Sequence, residues 1–299
     1  MASTAGVVLL FTRAPDSSAA RSVQALWSLG HVLLFMAGTA LALSFLPDQQ
    51  RRRRYALALL LVAAGLLAWG SEWAQAVVGR VSDPMDAIRD LGGAGVALLI
   101  GWPWRGRRWG LRPLSVAAGS ALLIVLAWPF LETASDECLA RWQFPVLADF
   151  ESDSQLGRWE GQAERRRDRT VAAEGRASLR IELGTGGHSG VALRYFPHDW
   201  RGYAAVSCRL FVPGQEGLEM VLRIQDGRHT AAGSRQRDRF NRRLRLPPGW
   251  SLVRVPLAEV AGAPAGRPMD LADIRGLGLF VTRQATRRVV FLDDLRLEP

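Results

Sequence analysis

Long apolar runs dominate the first 131 residues, whereas the rest of the chain alternates short apolar and polar stretches. The four runs are Val23 to Leu46, Tyr55 to Val78, Leu91 to Trp104 and Pro113 to Leu131. A helix needs about 20 apolar residues to cross a bilayer core, and the third run reaches that length only if its helix starts near Asp86. The pattern predicts an all-α bundle of about four transmembrane helices over residues 23–131, preceded by an N-terminal tail at residues 1–22.

A different period begins near Val146, after a polar stretch at residues 132–145 that reads as a linker. Short β-rich runs recur there between Gly, Pro and Asp turn signals. They are Ser178 to Leu183, Val191 to Phe196, Ala204 to Val212, Leu218 to Gln225, Phe240 to Leu246, Ser251 to Leu257, Leu277 to Thr282 and Val289 to Leu297. Eight or nine such strands predict an all-β antiparallel sandwich over residues 146–299, with a jelly roll as the expected arrangement.

Arginine accumulates in two of the loops between the apolar runs. Arg51 to Arg54 precede the second run, and Arg105, Arg107, Arg108 and Arg112 precede the fourth. Because short cytoplasmic loops hold the positive charge, this placement predicts a multi-pass plasma-membrane protein whose sandwich lies outside the cytoplasm. The formal net charge is +10, but the sharpest basic runs flank apolar segments, so we expect no nucleic-acid partner.

The motifs of soluble enzymes are missing from the sequence. No Gly-x-Ser-x-Gly, HExxH or phosphate-loop pattern occurs. Two cysteines, Cys138 and Cys208, are too few for a disulfide framework or a zinc site, and Cys208 reads as a buried free thiol. Enzyme status stays open and leans against an enzyme, no cofactor is expected, and nothing in the pattern indicates an oligomeric state.

A few polar side chains interrupt the apolar runs, and a buried charge in a bilayer costs several kcal/mol unless it is paired. They are His31, Glu72, Gln75, Arg80, Asp86 and Asp90. Glu72 and Gln75 are three residues apart and share a helix face. The predicted topology gathers the set in the outer leaflet. It is either a structural knot that holds the bundle together, or a pocket for a lipid head group in which His31 or Glu72 transfers a proton.

The order of these polar residues resembles the VanZ-like membrane proteins over residues 24–102. The resemblance is carried by Glu72-x-x-Gln75, Arg80, Asp86, Gly92 and Gly93, with a histidine in the preceding span. The sequence departs from the family at Trp27 and Ser28, where an Asp-Lys pair is common, and at Asp90, where an asparagine is common. The resemblance implies a protein of the bacterial envelope without a settled reaction.

Two neighbouring runs in the second half have a clear period of two. Val206, Cys208, Leu210 and Val212 form one apolar row, and Met220, Leu222 and Ile224 form another. The opposite positions predict a ligand-binding face formed by Arg209, Phe211, Arg223 and Gln225. Arginine, glutamine and an aromatic suit a polar ligand, but the same face is also compatible with solvated surface.

This half resembles the galactose-binding-like jelly rolls of carbohydrate-binding modules and CIA30-type domains over residues 146–299. The motifs are Ala148-Asp149-Phe150-Glu151, Gly175-x-x-Ser178-Leu179, Asp199-Trp200-Arg201-Gly202-Tyr203, Pro248-Gly249-Trp250 and Phe291-Leu292-Asp293-Asp294. The resemblance implies a glycan ligand and a structural calcium at Glu151 and Asp294, although two carboxylates are fewer than calcium's usual six to eight oxygens. It also implies that Trp200 and Trp250 pack structurally, which leaves Phe211, His188 and His229 as sugar contacts.

Three functions remain open. The first is a membrane-anchored protein of the bacterial cell envelope that recognises a glycan. The second is an enzyme acting on a lipid-linked or anionic head group at the outer leaflet. The third is an envelope scaffold that binds another protein.

Overall fold

The computed structural model describes residues 20–46, 54–77, 84–102, 110–231 and 237–299. The chain forms two compact units, Met1–Ala134 and Ser135–Pro299. Four long helices occur in the described part: α1 (Arg21–Phe45), α2 (Arg54–Val77), α3 (Pro84–Gly101) and α4 (Arg112–Gln143). Helix α4 continues through the stretch read as a linker at 132–145 as far as Gln143, and its residues from Ser135 onward belong to the second unit.

Small residues let the helices of the first unit pack closely. A Cβ atom on Gly93 of α3 would lie 2.2 Å from the carbonyl oxygen of Val32 on α1, so the two backbones touch there. A Cβ on Gly119 of α4 would lie 2.7 Å from Ile100 Cγ1. Close backbone approach at small residues is the common way in which apolar helices associate. The glycine pair noted in the sequence, of which Gly93 is one member, therefore has a packing role.

Two of the described helices, α1 and α4, are long and apolar enough to cross a membrane. The prediction of four spans is not met by α2 and α3. In α2 the apolar part is Tyr55–Gly70, shorter than a span, and α3 has only 18 residues with three charged side chains in its first half. The third run reached spanning length only if its helix began near Asp86, and that start brings these three charged residues into the helix.

The helices leave many large apolar side chains uncovered. Leu66 and Trp73 of α2 are 71% and 73% exposed, and Val125 of α4 is 67% exposed. Helices in the core of a soluble protein bury such residues. The first unit therefore has an apolar outer surface.

The second unit is a β-sandwich of two antiparallel sheets, as the sequence predicted. Its strands are β1 (Val146–Ala148), β2 (Trp159–Gly161), β3 (Glu164–Asp168), β4 (Ser178–Leu183), β5 (His188–Leu193), β6 (Ala205–Val212), β7 (Leu218–Asp226), β8 (Phe240–Leu246), β9 (Gly249–Pro256), β10 (Ile274–Thr282) and β11 (Arg288–Glu298). Sheet A has the order β3-β4-β11-β6-β9, with β1 also paired to β11. Sheet B has the order β2-β5-β10-β7-β8. The connections between consecutive strands contain two short helices, α5 (Gly227–Ala231) and α6 (Leu257–Ala261), and a 3-10 turn at Asp153–Arg158. The jelly-roll arrangement stays a prediction.

The core lies between the sheets and contains both apolar rows seen in the sequence. Leu210 of β6 and Met220 of β7 are fully buried there, as are Trp159 and Trp200. Cys208 is a buried free thiol, and burial raises its pKa to about 12. The alternation along β6 and β7 thus predicted which side chains form the core.

A buried ion pair fixes the end of α4 within the second unit. The Arg158 side chain is fully buried and donates from Nε to Asp136 Oδ2 at 2.9 Å and from Nη2 to Asp136 Oδ1 at 2.8 Å. Its Nη1 donates to the carbonyl oxygen of Leu147 at 3.0 Å, and Ser154 Oγ donates to Asp136 Oδ1 at 2.9 Å. A buried ion pair is tolerated when its remaining donors and acceptors are bonded in this way.

Candidate functional site

A groove of about 390 Å³ lies on the outer face of sheet B. Its floor consists of small residues on the central strands β5 and β10: Gly190, Ala192, Gly276 and Gly278. Strand β10 reads Gly-Leu-Gly-Leu-Phe from residue 276, so its leucines point into the core and its glycines point outward. Because the outward positions have no side chain or only a methyl group, the outer face of the sheet has a depression in its middle.

The two floor glycines Gly190 and Gly278 differ in whether the structure leaves room for a side chain. A Cβ on Gly190 would lie 2.2 Å from the carbonyl oxygen of Leu279, so the backbone itself requires glycine there. At Gly278 the nearest atoms to an added Cβ are 3.7 Å away, which is ordinary van der Waals contact. Packing therefore leaves room for a Cβ atom at Gly278, and its absence leaves the floor open.

Polar and charged side chains form the walls of the groove. Arg194, Glu160 and Gln162 line it on the side of β2 and β5, and Arg194 Nε lies 3.5 Å from Glu160 Oε2. The other wall and one end contain Arg223, Gln225, Arg239, His188 and Phe280. The walls therefore offer several hydrogen-bond donors close to one aromatic ring.

Arg223 occupies the centre of the second wall. Its guanidinium carbon lies 4.2 Å from the centre of the Phe280 ring, a cation–π distance, and its Nε donates to Asn241 Oδ1 at 3.5 Å. Burial, together with the positive charges of Arg239 and Arg194, lowers the pKa of Arg223 to about 10. Burial also lowers the pKa of Arg239. Arg239 and Arg194 are close enough to Arg223 to destabilise its charged form.

The predicted ligand-binding face is divided between the two sides of the sandwich. Arg223 and Gln225 line the groove on sheet B, whereas Arg209 and Phe211 lie on β6, in sheet A. The interpretation placed β6 and β7 side by side because they are consecutive, but the turn between them crosses from one sheet to the other. Both apolar rows face the core, so the polar row of β6 and the polar row of β7 face solvent on opposite sides of the sandwich. One binding face made of all four residues is therefore wrong.

Phe211 belongs to an aromatic row across sheet A. Cross-strand pairs place Arg180, Phe291, Phe211 and Trp250 on four adjacent strands. The Phe211 ring centre lies 5.2 Å from that of Trp250 and 5.9 Å from that of Phe291. Trp250 is 38% exposed, unlike Trp200, which is buried and donates from Nε1 to the carbonyl oxygen of Pro197. Side chains thus fill the middle of sheet A, where sheet B is hollow.

The two histidines considered as sugar contacts differ in position. His188 is exposed at one end of the groove, with its ring centre 6.2 Å from that of Phe280. His229 is buried, and its Nδ1 lies 2.9 Å from the carbonyl oxygen of Asp238. Of the two, His188 is placed to reach a ligand.

The proposed calcium ligands already have protein partners. Glu151 Oε1 accepts hydrogen bonds from the backbone N–H groups of Arg176 and Ala177 at 2.7 and 3.1 Å. The Asp294 carboxylate contacts the guanidinium groups of Arg296 and Arg209. Guanidinium groups thus already balance the charge of Asp294, and backbone N–H groups already bind Glu151, so calcium at these residues stays a prediction. No group of three or more His, Cys, Asp or Glu side chains that would hold a metal occurs among the described residues.

The polar set of the helical unit is brought together in part. His31 Nδ1 of α1 lies 3.2 Å from Asp90 Oδ1 of α3, and both side chains are buried. Asp86 accepts a hydrogen bond from Arg89 at 2.6 Å, one turn from Asp90. Glu72 and Gln75 lie on α2, where the structure does not describe their side chains, and Arg80 lies outside the described residues.

Most of the groove was missed by sequence reasoning. Arg194 and Phe280 were not singled out, although the alternating glycines of β10 were a usable signal. Outward glycines in the middle of a strand often mark a site where a ligand approaches the backbone.

Comparison with known proteins gives matches to solved structures only. No family model matches the chain, so the VanZ-like resemblance stays a prediction, and no curated protein matches. An exo-β-agarase is 17% identical over 52% of this chain and 24% of its own, with a TM-score of 0.41. The family 11 carbohydrate-binding module from Clostridium thermocellum, solved with a β-1,3-1,4-mixed-linked tetrasaccharide, is 13% identical over 51% of this chain and 94% of its own, with a TM-score of 0.40. The chain thus spans about a quarter of the agarase.

Proposed function

We propose that the sandwich binds carbohydrate in the groove of sheet B. The observation that carries this proposal is the hollow floor flanked by side chains that donate hydrogen bonds. A volume of about 390 Å³ lies within the range of small-molecule sites, which combine shape with a few convergent polar groups. Gln162, Gln225 and the groove arginines are suited to sugar hydroxyls, and the carbohydrate-module resemblance of residues 146–299 points to the same class of ligand.

We further propose that the first unit lies in the plasma membrane of a bacterial cell, in contact with lipid, and that the sandwich is extracytoplasmic. The exposed leucines and tryptophans of α2 and α4 support a lipid environment, since they would be costly in water. The arginines that precede α4, together with Arg112 at its first position, favour a cytoplasmic start for that helix and an outward end.

The carbohydrate proposal is tested by measuring the binding of a panel of soluble polysaccharides to the purified protein in detergent micelles. Gly278→Val places a branched side chain on the groove floor, and its Cβ meets only ordinary van der Waals contacts, so we expect unchanged thermal unfolding and loss of binding. Phe211→Ala is the matched control on sheet A and should bind normally. If Gly278→Val binds as well as the unaltered chain, or Phe211→Ala abolishes binding, the groove is not the site.

Cys138 offers a test of orientation, because it is the exposed thiol while Cys208 is buried. A membrane-impermeant maleimide should label the chain in right-side-out spheroplasts, and Cys138→Ser should remove the label. Labelling only in inside-out vesicles would place the sandwich in the cytoplasm and contradict the proposal.

A second candidate function rests on the pair formed by His31 and Asp90. A histidine bonded to a buried carboxylate is a common acid–base arrangement, and an apolar surface pocket of about 300 Å³ along α1 includes His31 in its lining. An enzyme acting on a lipid-linked or anionic head group would use such a pair. Asp90→Asn should then leave the protein abundant in the membrane while abolishing its phenotype, whereas an equal fall in abundance would favour a structural knot.

A further inference from the structure

The charge of the groove is strongly one-sided. Arg194, Arg223 and Arg239 line it, and Glu160 is the one carboxylate among its described lining residues. Glu160 is engaged at one wall, where its Oε2 lies 3.5 Å from Arg194 Nε and its Oε1 accepts from Tyr195 at 3.4 Å. The opposite wall therefore has two guanidinium groups without a carboxylate beside them in the lining.

The arginines of that second wall are incompletely satisfied. Arg239 Nε is buried and has no hydrogen-bond partner within the described ranges. Among the residues that the structure describes, the contacts of the Arg223 guanidinium are a long hydrogen bond to the neutral Asn241 side chain and the face of Phe280. Burial and the two neighbouring arginines depress the pKa of Arg223. A buried donor without a partner costs free energy that a ligand acceptor would recover.

This arrangement differs from the general basic character of the chain. Arg243, on the neighbouring strand β8, points to the same side of sheet B but does not line the groove. Its side chain is 82% exposed, with Glu219 3.9 Å away. Arg243 is a solvated surface charge, whereas Arg223 and Arg239 are held partly out of water around an empty floor.

From this geometry we infer that the groove selects acidic polysaccharides, whose carboxylate or sulfate groups would be bound between Arg223, Arg239 and Arg194. The inference rests on the proposed function and names the class of its ligand. Guanidinium groups bind such anions through paired, charge-assisted hydrogen bonds, which are about twice as strong as neutral ones. Sugar hydroxyls alone would leave the charge of the groove uncompensated.

The experiment compares polymers that differ only in charge. Full-length chain in detergent micelles is titrated with polygalacturonate and with its methyl ester, and with dextran sulfate and dextran. We expect the acidic member of at least one pair to bind at least about tenfold more tightly, because hydrogen bonds to charged groups are worth more than neutral ones. Comparing the two pairs separates carboxylate from sulfate recognition.

Two arginine variants of equal charge provide the matched control. Arg223→Ala should weaken binding of the acidic polymer by about tenfold or more, while Arg243→Ala should change it by less than about twofold. Arg223→Lys should recover part of the affinity, since the charge returns without the planar donor pair. Equal losses for Arg223→Ala and Arg243→Ala would mean general polyelectrolyte attraction and would overturn the inference.

The remaining outcomes separate this inference from the proposed function. Equal, Gly278-dependent binding of a polymer and its neutral counterpart would keep the carbohydrate site and reject acidic selectivity. Binding of inorganic polyphosphate with the same Arg223 dependence and affinity would show recognition of charge alone and also reject it. If none of the four polysaccharides binds in a Gly278-dependent way, carbohydrate binding in the groove fails as well.

Discussion

Each unit of the molecule buries a bonded pair of ionisable side chains, and the two pairs are built differently. In the sandwich, Arg158 and Asp136 share several hydrogen bonds, and backbone and hydroxyl groups bond their remaining atoms. In the helical unit, His31 and Asp90 share one contact, and Asp90 Oδ2 is buried without a hydrogen-bond partner in the described part of the chain.

The difference bears on what each pair is for. A completely bonded pair recovers most of the desolvation cost of its charges and acts as part of the architecture. A pair with an open carboxylate oxygen pays a cost that packing does not offset, and such groups concentrate at functional sites. The comparison favours a structural role for Arg158 and Asp136 and a site for His31 and Asp90.

Removing one member of the sandwich pair should have the largest effect. Arg158→Met leaves the Asp136 carboxylate buried and unpaired, so we expect a loss of about 3–5 kcal/mol in the free energy of unfolding. Chemical denaturation followed by the β-sheet circular dichroism signal measures it. The double variant Arg158→Met with Asp136→Leu should recover much of the loss, and a loss of less than about 1 kcal/mol in the single variant would contradict a structural pair.

A third pair, formed by Arg267 and Asp226, makes the stability of the sandwich depend on pH in the acidic range. Arg267 donates to Asp226 at 2.5 and 2.9 Å, and although burial opposes it, this bonding lowers the pKa of Asp226 below 3.8. On acidification the unfolded chain binds its proton first, so this contribution is present above about pH 4 and is lost as the pH falls through the lower folded pKa.

Asp226→Asn separates this contribution from general acid unfolding. At pH 7 we expect the variant to be less stable by about 2 kcal/mol, because the charge-assisted bonds to Arg267 are weakened. Between about pH 4 and pH 2 it should lose less stability than the unaltered chain, as measured by thermal unfolding at each pH. Parallel losses in both proteins would show that Asp226 does not carry the acid sensitivity.

The helical pair should show the smallest effect on stability. Asp90→Asn keeps an acceptor for His31, and polar contacts between membrane helices are worth about 0.6 kcal/mol on average, so we expect a loss of less than about 2 kcal/mol. Unfolding in mixed micelles, followed by helical circular dichroism, measures it. A loss as large as that of Arg158→Met would make the pair architectural and remove the contrast between the units.

The alternation of side chains predicted most of the sandwich. Strands β4 and β8 begin and end where the apolar runs do, because each has side chains that alternate between core and solvent. Strand β3 was missed since Glu-Arg-Arg-Arg-Asp at 164–168 has no apolar alternation, and its partner β4 sets its conformation. Asp136 was read as part of a polar linker, because one aspartate in a sequence does not reveal that an arginine 22 residues later is buried against it.

The candidate site was predicted only in part. Arg223 and Gln225 were found because they occupy outward positions of a regular strand. Arg209 and Phe211 were joined to them because the alternation along a strand does not determine which sheet it enters. Arg194 and Arg239 flank strands β5 and β8, and only the three-dimensional arrangement of sheet B brings them to one groove.

The floor at Gly278 gives the groove an evolutionary property. Because the backbone there accepts a side chain, a single substitution would alter the depth of the groove without requiring compensating changes in the core. Gly190 does not allow this, since its neighbours exclude a Cβ. Relatives of this protein would therefore diverge in ligand size at position 278 while position 190 stays constant, and the scaffold would acquire new specificities one mutation at a time.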